Sequence, residues 1–188
     1  MPSHFPQLGA ALDDYRARHP GDGELVAAFG AFLASHAAVF ERGHLLGHFT
    51  GSAWLVSADG ARVLLMHHRK LDRWLQPGGH ADPGEARGEE VALREAAEET
   101  GIAGLALHPK APAPFDVDVH AIPARKDEPA HEHLDVRYLF IAPEGALATV
   151  DAAEAHAFAW VPLDEVTTGR SDASVARAAR KIRQLLGR

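Results

Sequence analysis

The sequence contains no cysteine among its 188 residues. This absence excludes a disulfide scaffold and any thiol redox chemistry. The chain does contain 13 histidines, and the pairs His67-His68 and His131-x-His133 suggest zinc. Because structural zinc sites usually include cysteine, we favour a polar rim or a substrate-contact role for these histidines over zinc.

The sequence also lacks an apolar run long enough to cross a membrane. Its most apolar stretch, residues 25–40, has 16 residues and includes Ser35 and His36, whereas a spanning helix needs about 20. Its large side chains recur at helical spacing, so we predict a helix that faces the core. The N-terminus shows no basic start followed by an apolar segment, and we therefore expect no secretory signal and a cytoplasmic location.

Positive charge is in short supply. Lysine and arginine number 19 against 26 acidic residues, which gives a net charge of −7. This balance argues against a nucleic-acid-binding surface, and an anionic substrate would need a cation to mediate its binding. The apolar fraction of 46% and the charged fraction of 24% exclude global disorder and match an ordinary globular protein.

The order of predicted elements indicates one mixed α/β domain behind a pair of helices. Helices are predicted over 8–18, 23–40, 88–100 and 171–186, and strands over 52–57, 62–68, 115–120, 134–141 and 158–161. Ala58-Asp59-Gly60 predicts a hairpin, Pro77-Gly78-Gly79 a turn, and Gly101 a left-handed helix cap. We expect residues 1–47 to be a helical extension packed on the core of a domain formed by 48–188.

Three carboxylates are predicted to share one face of the helix over 88–100. Glu95 lies three residues before Glu98 and four before Glu99, so all three side chains project from neighbouring points. Arg94 lies four residues from both Glu90 and Glu98 and can hold either in place. Leu93, Ala96 and Ala97 are expected on the opposite, buried side of this helix.

Like charges at this spacing repel each other, and a divalent cation would remove the repulsion. Mg²⁺ and Mn²⁺ prefer such hard oxygen ligands, and the Gly78-Gly79 turn offers backbone carbonyls as further ligands. The alternative is a solvated acidic helix face, which is what most runs of charge are. The combination of a glycine turn, a spaced glutamate, the acidic helix and a glycine cap in one short window favours the metal site.

This window, GGHADPGEARGEEVALREAAEETGI, resembles the Nudix box. Gly79 and Glu85 have the spacing of the family pattern, and the segment from Arg94 to Ile102 matches its second half. The sequence departs from the pattern twice: eight residues instead of seven separate Glu85 from Arg94, and Ala96 is smaller than the usual aliphatic residue. The extra residue puts the role of Glu85 in doubt. The resemblance covers about residues 48–168 and implies a Nudix-like α/β/α sandwich.

The resemblance also implies a reaction, the metal-dependent hydrolysis of a nucleoside diphosphate linked to another group. By analogy Glu95, Glu98, Glu99 and the Gly78 carbonyl would bind Mg²⁺, with Mn²⁺ as an alternative, while Arg94 orients the glutamates. Bound metals would neutralise the phosphate charge and activate a water molecule. Glu95 is the first candidate for the general base, and Glu132 and Asp135 are more distant ones.

Residues that would contact the substrate are weaker inferences. The candidates are Arg69, Lys70, Trp74, His120 and His133. For Arg69 and Lys70 an ordinary solvated loop is an equal alternative, and for Trp74 a packing role is the more frequent one. The sequence does not identify the diphosphate substrate.

A second class of function stays open, a Nudix-like domain that binds a nucleotide or an ADP-ribose-type ligand without turnover. The intact Arg94, Glu95, Glu98 and Glu99 favour the enzyme. A sensor would normally carry an output module, and no basic segment serves as one. We expect a small-molecule diphosphate as partner, neither nucleic acid nor membrane, and a homodimer as an alternative to the monomer, since the apolar N-terminal helices could pack on a second subunit.

Overall fold

The computed structural model describes residues 6–35, 39–44, 46–85, 87–124, 129–149 and 155–188. Its helices are α1 (Pro6–Arg18), α2 (Gly23–Ser35), α3 (Gly88–Thr100) and α4 (Ala173–Leu186). Its strands are β1 (Gly47–Val56), β2 (Arg62–His68), β3 (Arg73–Leu75), β4 (Gly78–His80), β5 (Ala106–Leu107), β6 (Asp116–Ile122), β7 (His131–Ile141) and β8 (Ala155–Pro162). None of these helices is long and apolar enough to cross a membrane.

The strands form one mixed sheet around the parallel pair β1 and β7, which are in register from Gly47 opposite Glu132 to Val56 opposite Ile141. All other pairs are antiparallel: β4 and β2 pair with β1, β3 and β8 with β2, and β5 and β6 with β7. The predicted mixed α/β class is confirmed. The hairpin at Ala58–Gly60 is also present, and Gly60 has a positive φ of 70°.

Alternation along the strands gives the sheet two different faces. One face contributes Phe49, Leu55, Leu134 and Val136 to a core that α1, α2 and α3 cover. The other face contributes Trp54 and further apolar side chains to a core under α4. The helices therefore enclose the sheet from both sides, as expected for a sandwich.

Half of the α4 face is polar. Going along β1, β7 and β6 from this half to the apolar half, the side chains on this face are His48, Thr50 and Ser52 on β1, His133, Asp135 and Arg137 on β7, and His120, Asp118 and Asp116 on β6. Most of these residues are buried. The sheet therefore buries an unusual amount of charge, and this charge has to be paired.

Arg137 is the centre of the buried charge. It is 2% exposed and donates to Asp135 at 2.8 Å and to Asp116 at 3.0 Å, and it lies 3.2 Å from Asp118. Arg177 of α4 donates to Asp116 and Asp118 at 3.1 and 3.0 Å. Helix α4 is thus attached to the sheet by ion pairs as well as by its apolar face.

The N-terminal helices pack on the domain. Leu12, Tyr15 and Phe29 are almost completely buried in the same core as Phe49. Lys181 of α4 connects them further, because its ammonium donates to Asp22 at 2.6 Å and to Asp116 at 2.7 Å. A second subunit is not needed to cover these helices.

Several predicted boundaries are wrong. Helix α2 ends at Ser35, and Phe40 lies in a turn where its ring stacks on Phe49 at 4.9 Å; His36 lies outside the described residues. The predicted turn at Pro77–Gly79 is in part strand β4, because Gly78–His80 pair with Thr50–Ser52 of β1. The short strand β5 was not predicted.

Candidate active site

Small residues place helix α3 directly on strand β1. Val91, Ala92, Ala96 and Thr100 are its buried residues, and a side chain at Gly51 would come within 2.9 Å of the Gly88 carbonyl. The expectation that Leu93 and Ala97 are buried is wrong, because both are exposed. The apolar face is turned toward Val91 and Ala92, since only small side chains fit against the strand.

The helix ends as predicted. Gly101 adopts the left-handed conformation with φ of 68°, and its N–H donates to the Ala97 carbonyl at 2.9 Å. The cap keeps the last turn, and with it Glu98 and Glu99, in helical geometry.

Arg94 is the hub of the acidic face. Its guanidinium donates to Glu85 at 2.9 and 3.0 Å, to Glu95 at 3.1 Å and to Glu98 at 3.0 Å. A further N–H reaches the His80 carbonyl at 2.7 Å. One planar cation therefore fixes two of the three predicted metal ligands and joins α3 to β4.

Glu85 belongs to this cluster despite the additional residue before α3. Both of its oxygens accept from Arg94, and one also accepts from the Asp82 N–H at 2.8 Å. The hydrogen bond from Arg94 lowers the pKa of Glu85 and so keeps it ionised. The insertion lengthens the turn without moving Glu85 away from Arg94.

Strand β4 forms the second wall of the site. The Gly78 N–H donates to Glu99 at 3.0 Å, and a Cβ on Gly79 would lie 2.5 Å from the carboxyl carbon of Glu95. Only glycine leaves room for this carboxylate. The structure thus places Gly78 beside Glu99 through its amide; the predicted role of the Gly78 carbonyl as a ligand stays a prediction.

The donor set fits a hard divalent cation. Carboxylate oxygens are the ligands that Mg²⁺ prefers, Gly79 makes space for one of them, and Glu98 has 59% of its side chain exposed. The three glutamates at present have protein partners, and within the described ranges the group whose ligand atoms lie within 4.8 Å of one another consists of His48, His80 and His133. Glu95, Glu98 and Glu99 would therefore exchange these partners for the ion.

The other candidates for a general base differ from Glu95 in their surroundings. Asp135 is 1% exposed and accepts from Thr50, Ser52 and Arg137 at 3.1, 2.8 and 2.8 Å. These partners occupy its oxygens, so Asp135 acts in the polar layer of the sheet. Glu132 is exposed on β7.

Three predicted substrate contacts lie around strand β3. Arg69 and Lys70 are exposed in the turn between β2 and β3. The Trp74 ring stacks on His67 with centroids 5.0 Å apart and packs against the core under α4. The packing role that the sequence favoured for Trp74 is thus what the structure shows.

The other two predicted contacts, His120 and His133, belong to a histidine group that sequence reasoning missed. His133 lies opposite His48 on β1 and opposite His120 on β6, and His80 of β4 and His131 complete the group. Burial and the neighbouring imidazoles lower the pKa of His133 to about 2 and that of His48 to about 4. The spacing of His131 and His133 was the only sequence signal for it.

The chain was compared with known proteins. A family model described as the NUDIX domain matches residues 48–185, which confirms the resemblance seen in the sequence. A Bacillus subtilis (strain 168) protein named "Putative 8-oxo-dGTP diphosphatase" is 33% identical over 111 residues, 59% of this chain and 64% of that protein. The match therefore spans less than two thirds of this relative.

Solved structures share the fold. A Caenorhabditis elegans Ap4A hydrolase in a binary complex has a TM-score of 0.58 at 20% identity and covers 74% of this chain and 97% of its own. The NUDIX domain of Shewanella oneidensis NrtR complexed with ADP ribose has a TM-score of 0.52 at 20% identity, with 83% and 97% covered. At these identities the likeness confirms the Nudix fold.

Proposed function

Because the chain belongs to the Nudix family, we propose that it is a divalent-metal-dependent hydrolase that cleaves a pyrophosphate bond in a nucleotide-type diphosphate. The observation that carries this proposal is the acidic face of α3. There, Glu95, Glu98 and Glu99 stand beside the Gly78-Gly79 backbone, and Arg94 holds two of them. The predicted Nudix pyrophosphohydrolase also agrees with the names of the relatives.

The chemistry follows from the charges. A pyrophosphate cannot approach a cluster of carboxylates without a cation between them. Mg²⁺ bound by Glu95, Glu98 and Glu99 would neutralise the phosphate oxygens and make a water molecule more acidic. Water attacks one phosphorus atom, the bond from that phosphorus to the bridging oxygen breaks, and the bridging oxygen leaves with the second phosphate.

Glu95 is our candidate for the group that takes the proton of the attacking water. It lies on the same face as the other two glutamates, and its side chain is only 17% exposed. Arg94 keeps its carboxylate ionised and oriented through the 3.1 Å contact. Substrate selection is left to residues outside this face, for which Arg69, Lys70, Trp74, His120 and His133 remain candidates.

The alternative is a domain that binds an ADP-ribose-type ligand without turnover. The likeness to the NrtR domain, which was crystallised with ADP ribose, supports considering it. The intact set of acids on α3 favours the enzyme, because a domain that only binds has no need of a base beside the metal ligands.

The test is release of phosphate or nucleoside monophosphate from a substrate panel with Mg²⁺, for the native chain and for Glu98→Gln. The panel contains nucleoside triphosphates, an oxidised nucleotide, ADP-ribose and dinucleoside polyphosphates. We expect Glu98→Gln to lower turnover at least about 100-fold, since metal charge stabilisation is worth several kcal/mol and each 1.36 kcal/mol is tenfold.

Glu90→Gln is the matched control, because Glu90 lies on the same helix but near Arg87 at 3.8 Å. We expect this control to keep the native rate. An unchanged rate of Glu98→Gln at saturating Mg²⁺ would remove the assignment, and ligand binding without product release would favour the sensor.

A further inference from the structure

The strand register brings together three histidines that are far apart in the sequence. His48 of β1 lies opposite His133 of β7, and His80 of β4 lies opposite Thr50, two residues along β1 on the same face. One ring nitrogen of each lies within 4.8 Å of the other two. The histidines therefore converge on one point beneath the polar half of the sheet.

The nitrogen separations match those around a tetrahedral ion. Nε2 of His133 is 3.3 Å from Nε2 of His80 and 3.2 Å from Nε2 of His131. Zinc–nitrogen bonds of 2.0–2.1 Å at tetrahedral angles place two ligand nitrogens about 3.3 Å apart.

His48 supplies an independent observation. It is 1% exposed, and neither of its ring nitrogens has a hydrogen-bond partner. A buried polar atom without a partner is unfavourable and calls for an explanation such as an ion. A metal in the space between these rings would bind one of the two nitrogens.

His131 is oriented as a ligand. Its Nδ1 lies 2.9 Å from the Pro129 carbonyl, and because a carbonyl oxygen only accepts, this nitrogen carries the proton. The lone pair is then on Nε2, which faces His133. A ligating histidine commonly donates its other N–H to a carbonyl in this way, which fixes the ring.

We propose that His48, His80, His131 and His133 bind one Zn²⁺ ion. Imidazole nitrogen suits zinc, whereas Mg²⁺ prefers oxygen. The site is separate from the carboxylates of α3 but connected to them by strand β4, because the His80 carbonyl accepts from Arg94 at 2.7 Å. The ion would join β1, β4 and β7 and so position the strand that lines the acidic face.

The first experiment measures zinc directly. The chain, prepared without a histidine tag, is incubated with excess ZnSO₄, desalted and analysed by inductively coupled plasma mass spectrometry. We expect about one zinc per native chain and almost none in the double variant His80→Asn/His133→Asn. The control His156→Asn, an exposed histidine on β8, should keep the ion. Equal zinc in the native chain and the double variant, or none in the native chain, would overturn the proposal.

A second variant separates the two sites. Glu98→Gln should retain its zinc in the presence of excess Mg²⁺, and loss of zinc in this variant would place the ion on α3 and contradict the proposal. With Co²⁺ in place of zinc, we expect the visible absorption typical of tetrahedral cobalt, lost in the double variant. If the double variant does not fold, as judged by circular dichroism, His131→Asn alone should lower zinc affinity at least about tenfold; unchanged affinity would overturn the role of His131.

Discussion

Arg94 and Arg137 are each surrounded by carboxylates, yet their surroundings differ in charge balance and exposure. Near Arg94 stand five carboxylates, those of Asp82, Glu85, Glu95, Glu98 and Glu99. Arg137 shares Asp22, Asp116, Asp118 and Asp135 with two further cations, Arg177 and Lys181. The first region keeps a large excess of negative charge, whereas the second is nearly neutral.

Exposure follows the same division. Glu98 and Asp82 have 59% and 66% of their side chains exposed, while Arg137 and Asp116 are 2% and 0% exposed. A buried cluster has to balance its charges because desolvation is unfavourable. An open cluster that leaves them unbalanced can accept a cation, and this difference identifies α3 as the reactive region.

The largest effect on stability is expected from Arg137→Met. This change leaves three buried aspartates without their central cation, and breaking a buried pair in this way costs about 3–5 kcal/mol. Urea unfolding measures it. The control is Arg180→Met on the exposed side of α4, for which we expect less than about 0.5 kcal/mol. A loss below 1 kcal/mol for Arg137→Met would contradict the comparison.

A smaller effect is expected from acid. Burial alone would raise the pKa of Asp118, but the hydrogen bond to His120 and the charges of Arg137 and Arg177 outweigh it and lower the pKa to about 2. A lowered carboxyl pKa stabilises the fold above the unfolded value of 3.8, and this stabilisation is lost as the pH falls through the folded value.

The free energy of unfolding should therefore fall by about 2 kcal/mol more in the native chain than in Asp118→Asn between pH 5 and pH 2. Asp164→Asn, in an exposed turn after β8, should follow the native curve. Parallel curves for the native chain and Asp118→Asn would show that Asp118 does not contribute in this range.

The smallest effect on stability is expected from Arg94→Met, at about 1 kcal/mol or less, because its partners are partly exposed. Turnover should nevertheless fall about 10- to 100-fold, since Arg94 orients residues that would hold the metal. Arg87→Met, an exposed neighbour that pairs with Glu89, serves as control in both assays. If Arg94→Met destabilised the fold as much as Arg137→Met, the two regions would not differ as described.

Helix α3 could be predicted well because its signals are local. The glutamate spacing, the Arg94 position and the Gly101 cap all lie within one short segment, and the structure shows each of them. The buried face was predicted wrongly because it depends on the fit of Gly88 and Ala92 against Gly51, and that contact is set by a distant strand.

The histidine group and strand β4 could not be predicted for a related reason. Gly78-Gly79 has the composition of a turn, and only pairing with β1 makes it a strand. His48, His80 and His133 meet through the registers of two different strand pairs. Sequence periodicity reports which face a residue occupies within its own strand, but it carries no information on which strand lies next to it.

Lys181 brings together parts of the chain that are 159 positions apart, since it contacts Asp22 near the beginning and Asp116 in the middle. Asp22 lies outside the range 48–185 matched by the family model, as do Leu12 and Phe29 of the core. A fragment trimmed to the family range would expose Phe49 and leave Lys181 without one of its two carboxylates. In this protein the conserved module and its leading segment are therefore one cooperative folding unit.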